Sequence, residues 1–274
     1  MYDLRIEGGG RIIPDYQKGL ILNQIDHLKS FSRELNLICN KVCKSINSKQ
    51  DTDPFRAISL GFVTKCDKTL KAVNLLYDNN LPEPAQILVR VLLELSLNYE
   101  CFLKMSDDDI INTCHRVLDS MMLATIKQAH ASNFNGVSDE LRQHLKVSEQ
   151  LIKDRYIDSE INKMKKYGFT GLSIEQRAHL TKKEDQYNVV FRNFSRNVHS
   201  TDYAEGFIAQ GRWGDFDDYL NSRDVISLET SIFSALEINL CANIIFKCKL
   251  NLELNSFLEK YQDYKKDNSG DTSE

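Results

Sequence analysis

Apolar residues recur at intervals of three and four along most of this chain, which is the period of amphipathic α-helices. In the first predicted helix, about residues 16–46, these positions are Leu20, Ile21, Ile25, Leu28, Leu35 and Ile38. Only four prolines occur, and each stands where one helical pattern ends or another begins. No alternating pattern of useful length predicts strands, apart from a short hairpin around 207–213. The pattern therefore predicts an all-α bundle of about seven to eight helices.

The remaining predicted helices cover about residues 55–77, 82–104, 106–131, 138–167, 184–199, 221–249 and a shorter stretch to 264. The helix over 82–104 is the most apolar, so we expect it at the centre of the bundle. Between 200 and 223 the helical pattern gives way to glycines, aspartates and the only tryptophan, Trp213. This predicts a long irregular loop before the last long helix. We expect a flexible arm over 1–15, a single helical domain over 16–264 and a disordered tail over 265–274.

Composition narrows the functional classes. The 274 residues include 35 Lys and Arg against 39 Asp and Glu, so no overall positive charge favours nucleic acid, and any RNA contact must be local. The seven cysteines include no C-x-x-C pair, which indicates buried thiols in a reducing compartment. The N-terminus lacks the apolar stretch of a signal peptide, and no run of about 18 apolar residues is evident. We therefore expect a soluble cytoplasmic protein without a membrane segment.

The segment 192–199 carries the main candidate chemistry. At 100° per residue, one arc of its predicted helix contains Asn188, Arg192, Ser195, Arg196 and His199. The opposite side contains Tyr187, Val190, Phe191, Phe194 and Val198. Since no acidic residue within the turn balances the two arginines, the polar arc predicts a small positive site that suits an anion.

A histidine beside arginines has the chemistry that metal-independent RNA cleavage requires. A neutral imidazole at His199 can remove the proton of a ribose 2′-hydroxyl, and a guanidinium at Arg192 can stabilise the charge of the transition state. Ser195 and Asn193 could hold phosphate or orient the imidazole. The alternative is structural, because a histidine at the end of a helix also caps its last carbonyl groups. The spacing of Arg192 and His199 does not separate these two interpretations, since such pairs also arise by chance.

Two resemblances bear on the choice. Arg192-Asn193, followed by six-residue spacing to His199, resembles the Arg-x(4 to 6)-His signature of the HEPN superfamily, whose members are small helical bundles and in many cases ribonucleases of toxin and antiviral systems. The resemblance implies Arg192 as transition-state stabiliser and His199 as base, in a site often shared by two subunits. It therefore implies RNA as substrate and a homodimer. Arg196 competes with Arg192 for the same role.

The second resemblance is closer. The pattern Tyr187-x(7)-Ser195-x(3)-His199, followed by Ser200 and preceded by Arg90-Val-Leu-Leu-Glu94, resembles a family of bacterial helical proteins known only as a domain of unknown function, over about residues 55–250. It implies that Arg90 and Glu94 approach the 195–199 segment. Two roles for this i,i+4 pair stay open, namely a buried ion pair that fixes the helix, or a carboxylate that orients His199 or an arginine.

Other polar clusters suggest structure rather than chemistry. The acidic triplet Asp107–Asp108–Asp109 is typical of a helix start, and the lysines of 163–166 are typical of a solvated face. The other histidines lack a metal-ligand spacing, and Gly8 to Gly10 lack the residues of a phosphate-binding loop. The sequence therefore predicts no metal site and no cofactor.

The expected function is a metal-independent endoribonuclease, in phage defence or a toxin system. A non-catalytic scaffold whose polar pocket binds a nucleotide, a phosphate or a partner segment is the alternative. A third hypothesis is a regulatory subunit that docks a partner protein through the loop 200–223.

Overall fold

A computed structural model of the chain describes residues 15–48, 53–133, 135–191 and 216–268, and the statements below concern these residues. Every regular element among them is helical, which confirms the all-α class. The α-helices are α1 (Asp15–Asn47), α2 (Pro54–Asp78), α3 (Pro82–Asp108), α4 (Ile110–Ala131), α5 (Asp139–Arg155), α6 (Asp158–Tyr167), α7 (Ile174–Leu180), α8 (Glu184–Gln186), α9 (Phe216–Phe246) and α10 (Asn251–Asn268). A π-helical turn, Tyr187–Phe191, follows α8 directly.

Several predicted boundaries need correction. The helix expected over 138–167 is two helices, because the backbone of Tyr156 is extended between α5 and α6. Helix α7 was not predicted, although Ser173 and Gln176 form a complete capping box at its start. Helix α9 begins at Phe216 rather than near 221, and α10 includes the first residues of the predicted tail. The hairpin expected around 207–213 and the long loop lie mainly outside the described residues.

The chain divides into two compact units. The first comprises residues 1–50, 60–96 and 185–274, and the second comprises 51–59 and 97–184. Helices α2 and α3 each contribute residues to both units. The single domain over 16–264 stays a prediction.

In the first unit, α1 packs against α9 along an extended seam. The seam side of α1 follows alternating steps of four and three, and each of its members is fully buried: Leu28, Ser32, Leu35, Cys39, Val42 and Ile46. One set of buried residues on α9 has the same alternating spacing: Leu228, Ser231, Ala235, Ile238 and Ala242. This spacing is that of helices packed at a shallow angle, and the small side chains of α9 allow close approach.

In the second unit, α4, α5 and α6 pack against one another. Their shared core consists of Leu123, Ile126, Ala129, Leu145, Ile152, Ile161 and Met164. A separate aromatic group joins α2, α3 and the loop after α6, where the Phe102 ring stacks on Phe55 at 5.2 Å and meets Phe169 edge-on at 6.4 Å.

One helix among the described residues, Ser222–Phe246 within α9, is long and apolar enough to cross a membrane by length and composition alone. The prediction from the sequence did not include this stretch. Because 61% of its most apolar 18-residue segment is buried inside the protein, the stretch also matches the core helix of a soluble protein, so the criterion is weak evidence for a membrane segment.

Candidate functional site

The structure places three of the eight predicted site residues. Tyr187 is half-buried at the start of the π-helical turn, and Arg90 and Glu94 are half-buried on α3. The other five lie outside the described residues: Arg192, Asn193, Ser195, Arg196 and His199. Their roles, and any approach of Arg90 and Glu94 to them, stay predictions.

The π-helical turn changes the predicted register just before Arg192. The predicted faces assume 100° per residue from residue 184 onward, but regular α-helix extends only from Glu184 to Gln186. A π-turn closes i to i+5 hydrogen bonds and is wider than an α-turn, so the assumed angle is wrong over Tyr187–Phe191. Val190 is nonetheless buried, as predicted, and the turn packs against α9.

Arg90 and Glu94 belong to a polar stripe on the otherwise apolar α3. With Gln86 they recur every fourth residue, so the three share one side of the helix. Neighbouring Val89 and Leu93 are fully buried. Charged side chains in such surroundings are costly unless they are paired or serve a function.

Helix α3 contacts α9 through polar side chains on either side of Arg90 and Glu94 in sequence. At one end, Gln86 Nε2 donates to Asp224 Oδ1 at 3.2 Å, and Arg223 Nη2 donates to Gln86 Oε1 at 3.0 Å. At the other end, Ser96 Oγ donates to Glu237 Oε2 at 2.8 Å. Because the contacts follow the same order on both helices, α3 and α9 run parallel here. We call this polar contact line, from Gln86 to Ser96 and from Arg223 to Glu237, the α3–α9 seam.

At the Gln86 end of the α3–α9 seam, burial changes the pKa of two side chains, Asp224 and Tyr77. Asp224 accepts a second hydrogen bond from Tyr77 Oη at 3.2 Å. Burial raises the pKa of Asp224 despite these donors, and burial together with the charge of Asp224 raises the pKa of Tyr77. This hydrogen-bond network is not among the predictions from the sequence. The polar residues Gln86 and Ser96 within an apolar helix were the available signal.

A second charged cluster lies in the second unit, around Glu100. Its carboxylate contacts Lys183 Nζ at 2.9 Å and Lys104 Nζ at 3.0 Å. Burial by itself would raise the pKa of Glu100, but the two lysines outweigh it and hold the pKa below its ordinary value. Lys104 Nζ also donates to the carbonyl of Leu180 at 2.9 Å, at the end of α7. Because Lys183 and the carbonyl of Leu180 tie the end of α7 and the following turn to Glu100 and Lys104 of α3, the cluster fixes local structure.

The acidic triplet 107–109 and the lysines of 163–166 were predicted to have structural roles, and one of these predictions needs a correction. Asp109 is the N-cap of α4, and its side chain accepts from Asn112 N at 3.0 Å. Asp107 and Asp108, however, belong to the end of α3 rather than to the start of α4. The lysines at 163, 165 and 166 are exposed. Within the described ranges, no group of three His, Cys, Asp or Glu side chains could hold a metal ion.

Comparison with known proteins relates the chain to a family. Residues 56–210 match the model of a family of unknown function, DUF5677. This range is more than half of the chain and includes all eight predicted site residues. No curated protein and no solved structure matches the chain. The predicted resemblance to a helical family of unknown function is confirmed at this level, whereas the relation to the HEPN superfamily stays a prediction.

Proposed function

The chain belongs to the family DUF5677, and on that premise we propose that it is a metal-independent endoribonuclease of HEPN type. In this proposal His199 is the base that takes the proton of a ribose 2′-hydroxyl. The freed oxygen attacks the adjacent phosphorus and the P–O5′ bond breaks. The leaving 5′-oxygen takes a proton from water, and the products carry a 2′,3′-cyclic phosphate and a 5′-hydroxyl. Arg192 stabilises the additional charge on the phosphoryl oxygens. Asn193, Ser195 and Arg196 hold the phosphate.

The observation that carries the proposal is the presence of two half-buried charged residues, Arg90 and Glu94, on α3. Arg90 and Glu94 interrupt a largely apolar stretch of α3, which lies between its two contacts with α9. The π-helical turn before Arg192 packs against the same helix, α9. Single π-turns within helical segments are frequent at functional sites, since they redirect the side chains that follow them. Glu94 is a positioning residue in this scheme, and Arg90 supplies a further cation for the anionic substrate.

The remaining features of the proposal follow from the chemistry of the site and from the HEPN resemblance. RNA is the substrate, the active form is a homodimer, and the setting is cytoplasmic, in phage defence or a toxin system. The loop 200–223 is the segment through which a partner protein would act.

The experiment is incubation of the purified chain with total RNA in the presence of a chelator. We expect cleavage that leaves 2′,3′-cyclic phosphate ends, and a loss of about 10²-fold or more in rate for His199→Ala and for Arg192→Ala. His144→Ala is the matched control, because His144 is an exposed histidine on α5. Intact RNA with the native chain, or equal cleavage by all variants, would contradict the proposal and favour the non-catalytic scaffold.

Glu94→Gln tests the positioning role separately from the chemistry. A carboxylate beside an imidazole raises the pKa of that imidazole, so its loss should move the midpoint of the pH–rate profile to lower pH by roughly half a unit. A purely structural Glu94 would change stability or rate without moving this midpoint.

A further inference from the structure

A groove on the surface of the second unit, between α4 and α6, has a volume of about 440 Å³. This lies within the range of small-molecule sites, roughly 300–1,000 Å³. Its floor includes Leu123 and Met164, each only 2% exposed, which also belong to the core shared by α4, α5 and α6. Ala124 faces the groove with a single methyl group, which leaves the space above the floor open. The groove is therefore an open space above the packed core of α4, α5 and α6.

Four polar side chains line the groove. Lys127 and Gln128 stand on α4 with Ser120, and Lys165 stands on α6. Within the part of the chain that the structure describes, neither lysine has an ion-pair partner, and the side chains of Ser120 and Gln128 make no hydrogen bond. No acidic side chain belongs to the lining. The groove thus combines an apolar floor, two positive charges from different helices, and two groups that both donate and accept hydrogen bonds.

From this combination we propose that the groove binds a nucleoside 5′-monophosphate. The phosphate carries close to two negative charges and several acceptor oxygens, so it uses both Lys127 and Lys165. The flat base lies against the apolar part of the lining, which is formed by Leu123, Ala124 and Met164. Gln128 and Ser120 supply hydrogen bonds to the edge of the base. A fatty acid would use only one of the lysines and neither of the hydrogen-bonding groups.

The site is separate from the proposed nuclease chemistry. It is formed by α4, α6 and the turn at Gly168 of the second unit, and none of its residues is among the candidate catalytic residues. Binding in the groove can therefore be tested with a variant that lacks His199, and failure of one proposal leaves the other standing.

The test is titration of the full chain with adenosine 5′-monophosphate at low ionic strength, followed by calorimetry. Saturable binding with a Kd below about 1 mM is expected, and Lys127→Glu and Lys165→Glu should each weaken it about tenfold or more. Lys163→Glu is the matched control, because Lys163 is an exposed lysine of α6 outside the lining, and it should change the Kd less than about twofold. Ala124→Leu, which fills the groove without changing charge, should also weaken binding.

Three results would overturn the proposal. The first is no saturation by the nucleotide up to about 5 mM, which corresponds to negligible affinity. The second is equal affinity of the native chain, Lys127→Glu and Lys165→Glu. The third is tight binding of dodecanoate with no binding of the nucleotide. Unchanged nucleotide affinity in His199→Ala, together with much weaker binding of adenosine that lacks the phosphate, would support the assignment. Circular dichroism of each variant confirms that the helices are intact.

Discussion

At the scale of single residues, Asp224 shows how burial sets the energetics of the α3–α9 seam. Its carboxylate accepts hydrogen bonds from Tyr77 and Gln86, yet burial raises its pKa above the ordinary value of 3.8. The folded chain therefore binds this proton more tightly than the unfolded chain. Stability from this group is complete below the unfolded pKa and is lost as the pH rises through the raised folded pKa.

Replacing Asp224 with asparagine tests this assignment. Asn retains an oxygen that accepts from Tyr77 and Gln86 but carries no charge to desolvate. The free energy of unfolding should rise by a few tenths to about 1 kcal/mol near neutral pH, and the gain over the native chain should vanish as the pH falls below about 4. Urea denaturation at a series of pH values measures the difference.

Asp224→Ala is the contrasting variant, because it removes the acceptor from two buried donors. It should lower the free energy of unfolding by about 1–3 kcal/mol. Parallel stability curves for Asp224→Asn and the native chain across the whole pH range would show that the carboxylate does not titrate differently in the folded state.

The same scale explains which contacts were predictable. The polar character of Gln86, Arg90 and Glu94 on an apolar helix was visible in the sequence, and their fourfold spacing places them on one side. The contact of Gln86 with Arg223 and Asp224, more than 130 positions later, depends on helix pairing that periodicity does not encode. Sequence therefore indicated which α3 side chains were unusual, but not which helix they contact.

At the scale of elements, strong periodicity and proline positions predicted α1, α2 and α3 to within a few residues. The division of α5 from α6 was not predictable in this way, because no glycine or proline marks it. Tyr156 leaves the helix and its hydroxyl donates to Asp119 Oδ2 at 3.0 Å, while Arg155 pairs with the same carboxylate. Tertiary contacts with α4 thus accompany the break. Helix α7, by contrast, carried a readable capping box at Ser173 and Gln176.

Two glycines provide a paired prediction at this scale. Gly61 lies within α2, and nothing lies within 4 Å of the position of an added Cβ. Gly61→Ala should raise the free energy of unfolding by about 0.5–1 kcal/mol, because alanine loses less conformational entropy in a helix. Gly168 ends α6 at φ +77° and ψ −165°, a region that essentially only glycine adopts.

Gly168→Ala should therefore lower the free energy of unfolding by about 1–3 kcal/mol. The cost is conformational, because the added Cβ would meet only Ser120 Oγ, at 4.0 Å. Chemical denaturation of both variants and of the native chain measures whether the free energy of unfolding rises for Gly61→Ala and falls for Gly168→Ala. A destabilised Gly61→Ala variant would argue against a regular helix at that point, and a neutral Gly168→Ala variant would argue against the positive φ.

At the scale of the whole molecule, the sequence predicted the helical class and reduced cysteines, whereas the division into two compact units was not predictable. That division falls inside α2 and α3, where apolar periodicity continues without interruption. The candidate site was likewise predictable only as a set of residues with suitable chemistry, since the assumed register fails at the π-helical turn, Tyr187–Phe191. A local change of helix type leaves little trace in residue periodicity.

The cysteines give a prediction for the molecule as a whole, since all seven lie in the described residues and none forms a disulfide. Five are buried: Cys39, Cys66, Cys101, Cys114 and Cys248. Burial raises the pKa of Cys43, which is half-buried, and of Cys101 to about 11 in each case. Their reactive thiolate fraction is then only about 0.1% at pH 8. A thiol reagent should modify at most Cys43 and Cys241 within minutes in the folded chain, and all seven after denaturation.

Because the folded chain contains no cross-link, reductant should leave its thermal midpoint unchanged to within about 1 °C. Removal of a native disulfide would instead cost about 2–5 kcal/mol, which is a shift of several degrees for a chain of this size. A reductant-dependent midpoint would thus contradict the free thiols. Rapid modification of all seven cysteines, with a thermal midpoint that reductant does not change, would instead contradict the burial of five of them. Slow modification is expected because the packed helices exclude the reagent and keep the thiols protonated.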